Sequence, residues 1–266
     1  MFVNDRDFDI EKIAASGQCF RMNKTPDGNW LCMASDRSIR LCSVDDGYEI
    51  SCSGEGGDAF LRRYFDLETD YAAFRAAIDP SDIFLCSAAE AGIGIRILKQ
   101  DPWEMLISFI ISQRKNIPAI KAAVEALCRS FGEKTPEGSF AFPKPAALAS
   151  ASASELKACS LGYRVPYVSD AARRVDSGDL NLEALDSLDD ASLMDALQAV
   201  SGVGPKVASC VSLFGYHRIG AFPVDVWIKR MLDEHYGGVF PLERYSGFAG
   251  VMQQYIFYKA ISDKAG

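Results

Sequence analysis

The chain has 266 residues, of which 48% are hydrophobic and 24% are charged, and these values are typical of a globular protein. A formal net charge of −8 excludes a protein that binds nucleic acid or another polyanion through overall positive charge. The sequence contains no apolar run long enough to cross a bilayer, and its first residues lack the basic and apolar segments of a signal peptide. We therefore expect a cytoplasmic protein.

The eight cysteines are scattered along the chain, and no two of them form a CxxC pair. The two histidines, His217 and His235, are also far apart in the sequence. This spacing argues against a zinc or iron–sulfur site, and cysteines without a pairing pattern are typical of a reducing compartment. The sequence thus predicts no metal centre.

Residues 1–98 predict a small α+β domain. Short apolar runs separated by turn residues are typical of an antiparallel sheet, and they lie at residues 18–22, 30–33, 38–42 and 48–52. Two short helices are expected at residues 58–65 and 70–78. No glycine-rich nucleotide-binding loop follows any of these strands, which excludes a Rossmann fold.

Residues 99–266 predict a mainly helical body, because apolar residues recur at helical spacing from Asp101 onward. Asp101 and Pro102 provide an N-cap and a proline at the first helical position. Ser187 is expected to open a later helix through a capping box. The helices are predicted at residues 102–110, 117–131, 154–159, 166–175, 187–200, 226–235 and 248–261.

A tight turn is expected to join two helices within residues 193–214, because helical periodicity stops at Val200 and restarts at Pro205. Gly202 and Gly204 allow such a turn, since glycine adopts conformations that strain other residues. The unpaired N–H groups of a turn of this kind point outward and can bind phosphate.

Lys206 lies in the first turn of the second of these helices. The helix dipole and the free N–H groups disfavour a positive charge there, which favours a neutral amine that can act as a nucleophile. Cys210 follows one turn later on the same face, so the two side chains can line one cavity. A solvated lysine beside an ordinary glycine-rich turn is the alternative interpretation.

Asp225 follows Pro223 and precedes a predicted helix, so we expect it at the N-cap. It is one helix and one connection away from Lys206, and the chain can fold back to bring the carboxylate beside the amine. A lysine and a carboxylate in one pocket can serve as a nucleophile and its electrostatic partner. A helix cap with no chemical role is the alternative.

Further motifs lie in five stretches, at residues 16–21, 101–110, 161–164, 197–230 and 249–257. Their order and content, above all the hairpin lysine and the Pro-Val-Asp run, resemble the 8-oxoguanine DNA glycosylase/AP lyase family of the helix-hairpin-helix DNA glycosylase superfamily. The resemblance covers nearly the whole chain. It implies an α+β fold, in which a small antiparallel sheet domain over residues 1–98 precedes a helical glycosylase body over residues 99–266.

The resemblance implies a bifunctional enzyme that flips 8-oxoguanine out of duplex DNA and excises it through a Schiff base on Lys206. The same enzyme would then cleave the strand 3′ to the abasic site by β-elimination. Asp225 would stabilise the positive charge that develops on the sugar.

The resemblance also implies how the lesion is recognised. The Gly17 carbonyl would accept the hydrogen that 8-oxoguanine carries on N7, where guanine has only an acceptor. Cys210 and Phe257 would sandwich the extruded base, and Gln253 would read its Watson–Crick edge.

Several residues are expected to contact DNA by the same resemblance. They are Gln113, Arg114, Asn116, Tyr163, Arg164, Gly202, Val203, Gly204 and Trp227. Tyr163 resembles an aromatic wedge that fills the gap left in the duplex, and Gln113 is either a second gap-filling side chain or a helix-end amide. The hairpin carbonyls would bind a monovalent cation by analogy with the superfamily; no other cofactor is expected, and we expect a monomer.

The chain departs from the family pattern at the residues that would face the opposite base. Members that require cytosine there carry an Asn triplet, whereas this chain has Arg114, Lys115 and Asn116, and Ala119 stands where those members have arginine. We therefore predict relaxed opposite-base choice. Trp227 also stands where the family pattern has histidine, which puts a phosphate contact there in doubt.

Three other classes of protein remain as alternatives. A superfamily glycosylase for alkylated or other damaged bases often lacks the lysine, so Lys206, Gly17 and Gln253 together argue against it. A non-catalytic helix-hairpin-helix DNA-binding module needs the glycines but not Lys206 with Asp225. A metal-dependent nuclease would need a carboxylate or histidine cluster, which the sequence does not show.

Overall fold

The computed structural model describes residues 1–265 and contains an N-terminal sheet packed on a helical body. The five strands are β1 (Phe2–Val3), β2 (Met22–Lys24), β3 (Trp30–Ala34), β4 (Arg37–Val44) and β5 (Gly47–Cys52). They form one antiparallel sheet in the order β1-β5-β4-β3-β2. The predicted α+β class with an N-terminal antiparallel sheet is therefore confirmed.

One face of the sheet is apolar because alternate residues of neighbouring strands point to the same side. Cys32 pairs with Met22 on one neighbouring strand and with Ile39 on the other, and Leu41 pairs with Ile50. All five side chains are buried. They pack beneath two helices, α1 (Ile10–Ala15) and α2 (Gly57–Tyr64), and form the smaller of two hydrophobic cores.

The predicted strand at residues 18–22 is wrong over most of its length, since only Met22 belongs to β2. Residues 18–21 are irregular because Gly17 turns the chain with a φ of +74° and because the Gln18 side chain is held by hydrogen bonds to distant backbone. The sequence analysis also missed β1 and α1, which are two and six residues long. Elements this short carry little periodicity.

The remaining helices form the body. They are α3 (Tyr71–Ala76), α4 (Ile83–Ala91), α5 (Pro102–Ser112), α6 (Ile117–Phe131), α7 (Pro145–Ser150), α8 (Ala153–Ala158), α9 (Val165–Asp176), α10 (Leu182–Leu185), α11 (Asp190–Gln198), α12 (Pro205–Phe214), α13 (Val226–His235) and α14 (Ala249–Ala265). Two 3₁₀ turns lie at Gly162–Arg164 and Leu242–Tyr245. No helix in the described range is both long and apolar enough to cross a membrane.

Helices α5 and α12 occupy the centre of the larger core and carry the residues around the site. Asp101 caps α5 as predicted, because its side chain accepts a hydrogen bond of 2.8 Å from the Glu104 N–H. Phe109 of α5 stacks on Phe214 of α12 with ring centroids 5.6 Å apart. This contact holds the C-terminal end of α12 against α5.

Two details of the helical body differ from the expectation. Helix α11 begins after Asp189, whose side chain accepts from the Ser192 N–H, so the predicted capping box at Ser187 is wrong by two residues. The side chains of α3 and α4 belong to the larger core, where α4 packs on α14. Because Phe20 belongs to the larger core and Leu98 to the smaller one, the two cores interleave along the chain, and the boundary at residue 98 stays a prediction.

A buried carboxyl group lies where the sheet meets the body. Glu104 of α5 accepts a hydrogen bond of 2.9 Å from the Ser35 N–H, at the turn between β3 and β4. Burial raises the pKa of Glu104 to about 7, although the Arg21 guanidinium and the Ser35 N–H oppose the shift. The group therefore changes charge near neutral pH.

We expect the Glu104→Gln variant to lose a pH dependence of stability that the natural chain shows. A carboxyl with a raised pKa binds a proton on folding, so its contribution to stability is complete below its ordinary value of 4.5 and is lost as pH rises through about 7. The natural chain should lose about 3 kcal/mol of unfolding free energy relative to the variant across that window. Urea titrations at about pH 5 and pH 8 measure this, and parallel changes in both proteins would contradict it.

Candidate active site

The turn between α11 and α12 has the helix-hairpin-helix geometry that the glycines predicted. Gly202 has a φ of +79°, and any side chain there would overlap the ring of Tyr167. The Val203 N–H donates to the Val200 carbonyl at 3.0 Å, so the turn itself uses this predicted phosphate donor. Gly204 caps α12 without a side chain and leaves its own N–H without a partner in the described chain.

Lys206 lies in the first turn of α12, as predicted, and its side chain is half-buried. Its amine is 5.2 Å from the centroid of the Phe109 ring and within hydrogen-bonding reach of the Cys210 sulfur. No carboxylate in residues 1–265 forms an ion pair with the amine within 4.0 Å. Burial raises the pKa of the Cys210 thiol, which disfavours the thiolate form that could act as a nucleophile.

Asp225 is the N-cap of α13, as predicted. Its Oδ1 accepts hydrogen bonds from the N–H groups of Trp227 at 3.0 Å and Ile228 at 2.8 Å. Its Oδ2 accepts none from the described residues, so one carboxylate oxygen holds the helix and the other is free. Asp225 is therefore a helix cap, and the cap also orients a charged oxygen.

One cavity contains the residues that the sequence analysis placed around the base. Lys206 and Asp225 line it together, which confirms that the chain folds back as expected. The lining is Ser16, Gly17, Phe109, Lys206, Cys210, Phe214, Pro223, Asp225, Gln253, Gln254 and Phe257. Its volume is about 50 Å³, whereas a cavity that binds benzene measures about 150 Å³. A purine can enter only if part of the lining moves.

Gly17 and Phe257 lie against each other in the lining of the cavity. A Cβ added to Gly17 would lie 2.9 Å from Cε1 of the Phe257 ring, closer than van der Waals contact allows. The Gly17 carbonyl accepts no hydrogen bond from any residue that the structure describes. The half-buried Phe257 ring is thus the side chain of the lining that lies against Gly17.

We expect Gly17→Ala to impair base excision strongly, because the methyl group meets Phe257 and because alanine is strained at a φ of +74°. Excision of a damaged base should fall about 10- to 100-fold, while cleavage of a pre-formed abasic site changes little. Single-turnover rates on the two substrates measure the difference. Gly28→Ala is a matched control, since Gly28 has a φ of +85° and open space around it.

Gln253 is buried on α14, and both ends of its amide are engaged. Its nitrogen donates to the Pro223 carbonyl at 3.1 Å, and its oxygen accepts from the Gln254 amide at 3.0 Å. The amide therefore supports the loop that precedes Asp225. Each end keeps one further hydrogen-bonding position, a second N–H and a second lone pair, so the amide can bind another group without losing either partner.

A groove of about 810 Å³ adjoins the cavity and shares Gly17, Lys206, Asp225 and Phe257 with it. The predicted DNA contacts Gln113, Arg114, Asn116 and Trp227 all line this groove. Several of the residues predicted to contact DNA therefore lie next to the opening of the cavity.

Two of these predicted DNA-contacting residues also form hydrogen bonds that stabilise the fold. The Gln113 amide nitrogen donates to the carbonyls of Ile110 and Gly202, at 3.1 Å each, and so ties the end of α5 to the hairpin. This geometry is that of the helix-end amide. Asn116 caps α6 by accepting from the Ala119 N–H at 3.0 Å. Arg114 has a φ of +53°, which directs the short connection between α5 and α6.

Tyr163 stands beside the groove, where its ring is 50% exposed and its hydroxyl donates to the Gln113 carbonyl at 3.5 Å. Arg164, in contrast, is only 5% exposed. Its guanidinium donates to the Leu161 carbonyl at 3.2 Å and lies 4.3 Å from the Tyr163 ring centroid. The prediction that Arg164 contacts DNA directly needs correction, because the side chain is buried and supports Tyr163 instead.

The sequence analysis missed other residues of the cavity and groove. Phe109 faces the Lys206 amine, but its position in α5 follows the same apolar spacing as the core residues around it. Lys229 and Lys115 bring positive charge to the groove, although neither was among the predicted DNA contacts. Within residues 1–265, no three His, Cys, Asp or Glu side chains are close enough to hold a metal ion.

Comparison with protein families agrees with this geometry. Residues 1–106 match the family model of the 8-oxoguanine DNA glycosylase N-terminal domain, and residues 107–238 match that of the HhH-GPD superfamily base excision DNA repair proteins. A 3-methyladenine DNA-glycosylase from Archaeoglobus fulgidus shares the fold, with a TM-score of 0.77 at 17% identity. The class of protein that the fold and the hairpin define is thus the HhH-GPD superfamily.

Individual relatives narrow the class further. An N-glycosylase/DNA lyase of Saccharomyces cerevisiae is 37% identical over an alignment that covers 88% of this chain and 70% of the yeast protein. A second similar structure is that of MBOgg1 in complex with a low affinity DNA ligand. Its sequence is 36% identical to this chain, the TM-score is 0.90, and the match covers 97% of this chain and 94% of the other. The chain belongs to the 8-oxoguanine DNA glycosylase family.

A third similar structure comes from Clostridium acetobutylicum. It is an 8-oxoguanine glycosylase/lyase in complex with double-stranded DNA that contains cytosine opposite 8-oxoG. It is 32% identical to this chain, with a TM-score of 0.89, and the match covers 99% of this chain and 98% of the other. The sheet and the helical body thus both have counterparts in that protein.

Proposed function

We propose that the protein removes 8-oxoguanine from double-stranded DNA and then cleaves the strand at the abasic site. The observation that carries the proposal is that the Lys206 amine and the Asp225 carboxylate line one cavity at the end of a groove. The N-glycosylase/DNA lyase and 8-oxoguanine glycosylase/lyase relatives support this choice of reaction and substrate.

Excision begins when the damaged nucleotide leaves the base stack and enters the cavity. The Lys206 amine donates its electron pair to C1′ of the sugar, and the bond from C1′ to the base breaks with its electrons leaving on the base. The base takes up a proton and departs. Because positive charge grows on the sugar in the transition state, the Asp225 carboxylate lowers the barrier electrostatically.

Strand cleavage uses the same bond between Lys206 and C1′. The nitrogen first loses one proton. The C1′–O4′ bond then breaks, O4′ takes its electrons and a proton, and the nitrogen electron pair forms the C1′–N double bond of a protonated Schiff base. The positive charge of this Schiff base makes the C2′ hydrogen acidic. Loss of that proton moves its electron pair into a C2′–C3′ double bond, and the 3′ phosphate leaves with the electrons of its own bond to carbon. Water then hydrolyses the Schiff base and returns the free amine.

Recognition of the lesion is assigned to the Gly17 carbonyl, which lines the cavity without a hydrogen-bond donor from the described residues. The N7–H of 8-oxoguanine would supply that donor, whereas guanine would leave the acceptor buried and unpaired. An unpaired buried acceptor costs about 1–3 kcal/mol, which corresponds to about 5- to 150-fold discrimination. Cys210 and the displaced Phe257 ring would cover the two faces of the base, and Gln253 its Watson–Crick edge.

DNA binding must succeed despite the net charge of −8. Arg114, Lys115 and Lys229 concentrate positive charge in the groove, and the Gly204 N–H and the first turn of α12 offer donors to phosphate. Tyr163, half-exposed beside the groove, is placed to fill the gap left by the flipped nucleotide. Trp227 lines the same groove and offers an apolar surface where the family pattern has histidine.

The hairpin carbonyls are proposed to hold a monovalent cation. Those of Val200 and Gly202 each accept one hydrogen bond, from the Val203 N–H and the Gln113 amide, and keep a second lone pair. Bound there, a cation would add positive charge beside the phosphate donors. We also propose that the protein acts as a cytoplasmic monomer, and its eight free cysteines suit a reducing compartment.

The proposal is tested with duplexes that contain either one 8-oxoguanine or guanine at the same position. We expect release of the free base, a strand cut by β-elimination, and a covalent adduct when borohydride is added, all from the 8-oxoguanine duplex alone. Release of 3-methyladenine from a third duplex that contains this base, without an adduct, would instead identify a glycosylase for alkylated bases. Binding without release of any base would identify a non-catalytic hairpin module.

We expect excision rates to vary by less than about tenfold among the four bases opposite the lesion. The chain offers Arg114 and Lys115 in place of two asparagines of the Asn triplet, and Ala119 provides no donor at all. Few groups are therefore left to hold an orphaned cytosine specifically. Single-turnover rates on four matched duplexes measure this, and a steep preference for cytosine would contradict it.

A further inference from the structure

The segment from Ser16 to Gln18 is anchored on both sides of the carbonyl assigned to lesion recognition. The Ser16 hydroxyl donates to the Ile13 carbonyl at 2.8 Å and accepts from the Gln18 amide at 2.8 Å. Ser16 and Gln18 are both completely buried. The Gly17 carbonyl lies between these anchored residues and has no bond of its own within the described chain.

Gln18 is held through every polar group of its side chain. Its amide nitrogen also donates to the Arg96 carbonyl at 2.9 Å, and its amide oxygen accepts from the Leu98 N–H at 2.8 Å. The backbone carbonyl of Gln18 accepts a hydrogen bond of 2.8 Å from the Gln100 side-chain amide. The segment of residues 96–100 therefore determines how the peptide groups that follow Gly17 are oriented.

Gln100 connects this segment to the helix that carries the nucleophile. Its backbone N–H donates to the carbonyl of Phe214, the last residue of α12, at 3.0 Å. Phe214 also lines the cavity. One residue thus bonds both to the loop of Gly17 and to the helix of Lys206.

We propose that Gln100 is a positioning residue for lesion recognition. It holds the Gly17 carbonyl in a fixed position relative to Lys206. This inference rests on the proposed function. Gln100 lines neither the cavity nor the groove, so it acts through Gln18 rather than on the base. The Gly17 carbonyl matters only while a base occupies the cavity, because an abasic site has no N7–H to offer. Gln100 should therefore affect base excision and leave abasic-site cleavage unchanged.

The test compares two single-turnover rates, excision of 8-oxoguanine and cleavage of a pre-formed abasic site. Gln100→Met keeps the approximate length of the side chain but removes the N–H donor. We expect it to lower excision about 10- to 100-fold and abasic-site cleavage less than about threefold. Gln100→Glu, which has the same shape and no amide donor, is a second variant that should give the same ratio.

Tyr216→Phe is the matched control for loss of one buried hydrogen bond. The Tyr216 hydroxyl donates to the Leu182 carbonyl at 3.0 Å. Tyr216 is close in sequence to the end of α12 but lies away from Gly17. We expect this variant to lower the melting temperature and leave the ratio of the two rates unchanged. Equal changes of both rates in the Gln100 variants, or no change in either, would overturn the inference. Absence of both activities from the natural chain would refute the proposed function instead.

Discussion

Replacement of Lys206 by glutamine is expected to abolish covalent trapping by borohydride and to reduce strand cleavage by a factor on the order of 1,000 or more. The amide of glutamine has no nucleophilic electron pair, so neither attack at C1′ nor a Schiff base can follow. Binding of the 8-oxoguanine duplex should persist, because the groove and the hairpin N–H groups are unchanged. Gel shift and trapping assays on the same duplex separate the two effects.

Lys229→Gln is the matched control for the loss of a lysine. Lys229 lines the groove but not the cavity, and it pairs with Asp233 at 3.3 Å on the surface of α13. We expect this variant to bind DNA somewhat less tightly, with a weaker salt dependence, and to be trapped as efficiently as the natural chain. An adduct that persists in Lys206→Gln would show that another amine is the nucleophile.

Replacement of Asp225 by asparagine is expected to slow base excision about 100- to 1,000-fold while the fold stays intact. The asparagine oxygen can still accept from the N–H groups of Trp227 and Ile228, so the cap of α13 survives. Only the negative charge disappears, and with it the stabilisation of the positive sugar. Single-turnover excision measures the rate, and the melting temperature reports on the cap.

Asp189→Asn tests whether charge at a helix cap matters by itself. Asp189 caps α11 in the same way, through the Ser192 N–H, but lies exposed and outside the cavity. We expect no change in excision for this variant. Full activity of Asp225→Asn would show that Asp225 acts only as a structural cap and contradict its electrostatic role.

The hairpin and its lysine could be predicted because local rules determine them. Gly202 must be glycine at its positive φ and against Tyr167, and Pro205 must stand where no N–H is needed. The N-cap position of Asp225 follows equally from the proline turn before it. These constraints act within a few residues, so they can be read directly from the sequence.

The loop around Gly17 could not be predicted in this way. Residues 18–22 alternate like a strand, but hydrogen bonds from Gln18 to Arg96 and Leu98 outweigh that tendency. These partners are about eighty positions away in the chain, and nothing near Gln18 indicates them. The burial of Arg164 behind Tyr163 is likewise a tertiary effect.

The volume of the cavity also could not be predicted from sequence patterns. The residues predicted around the base do meet, yet Gly17 and Phe257 leave a cavity of only about 50 Å³. Volume depends on side-chain packing across five separate segments of the chain, and residue types alone do not determine it. We therefore expect entry of the base and displacement of Phe257 to occur together.

Peptide mapping of the trapped adduct tests the central claim most directly. Trypsin should cut after Lys206 in the free protein and fail to cut there once the amine carries a sugar. The account predicts that borohydride trapping on 8-oxoguanine DNA yields one fused peptide, residues 175–218, that bears the deoxyribose remnant on Lys206. A remnant on a different lysine or on the N-terminal amine, with residues 175–206 released unmodified, would contradict it.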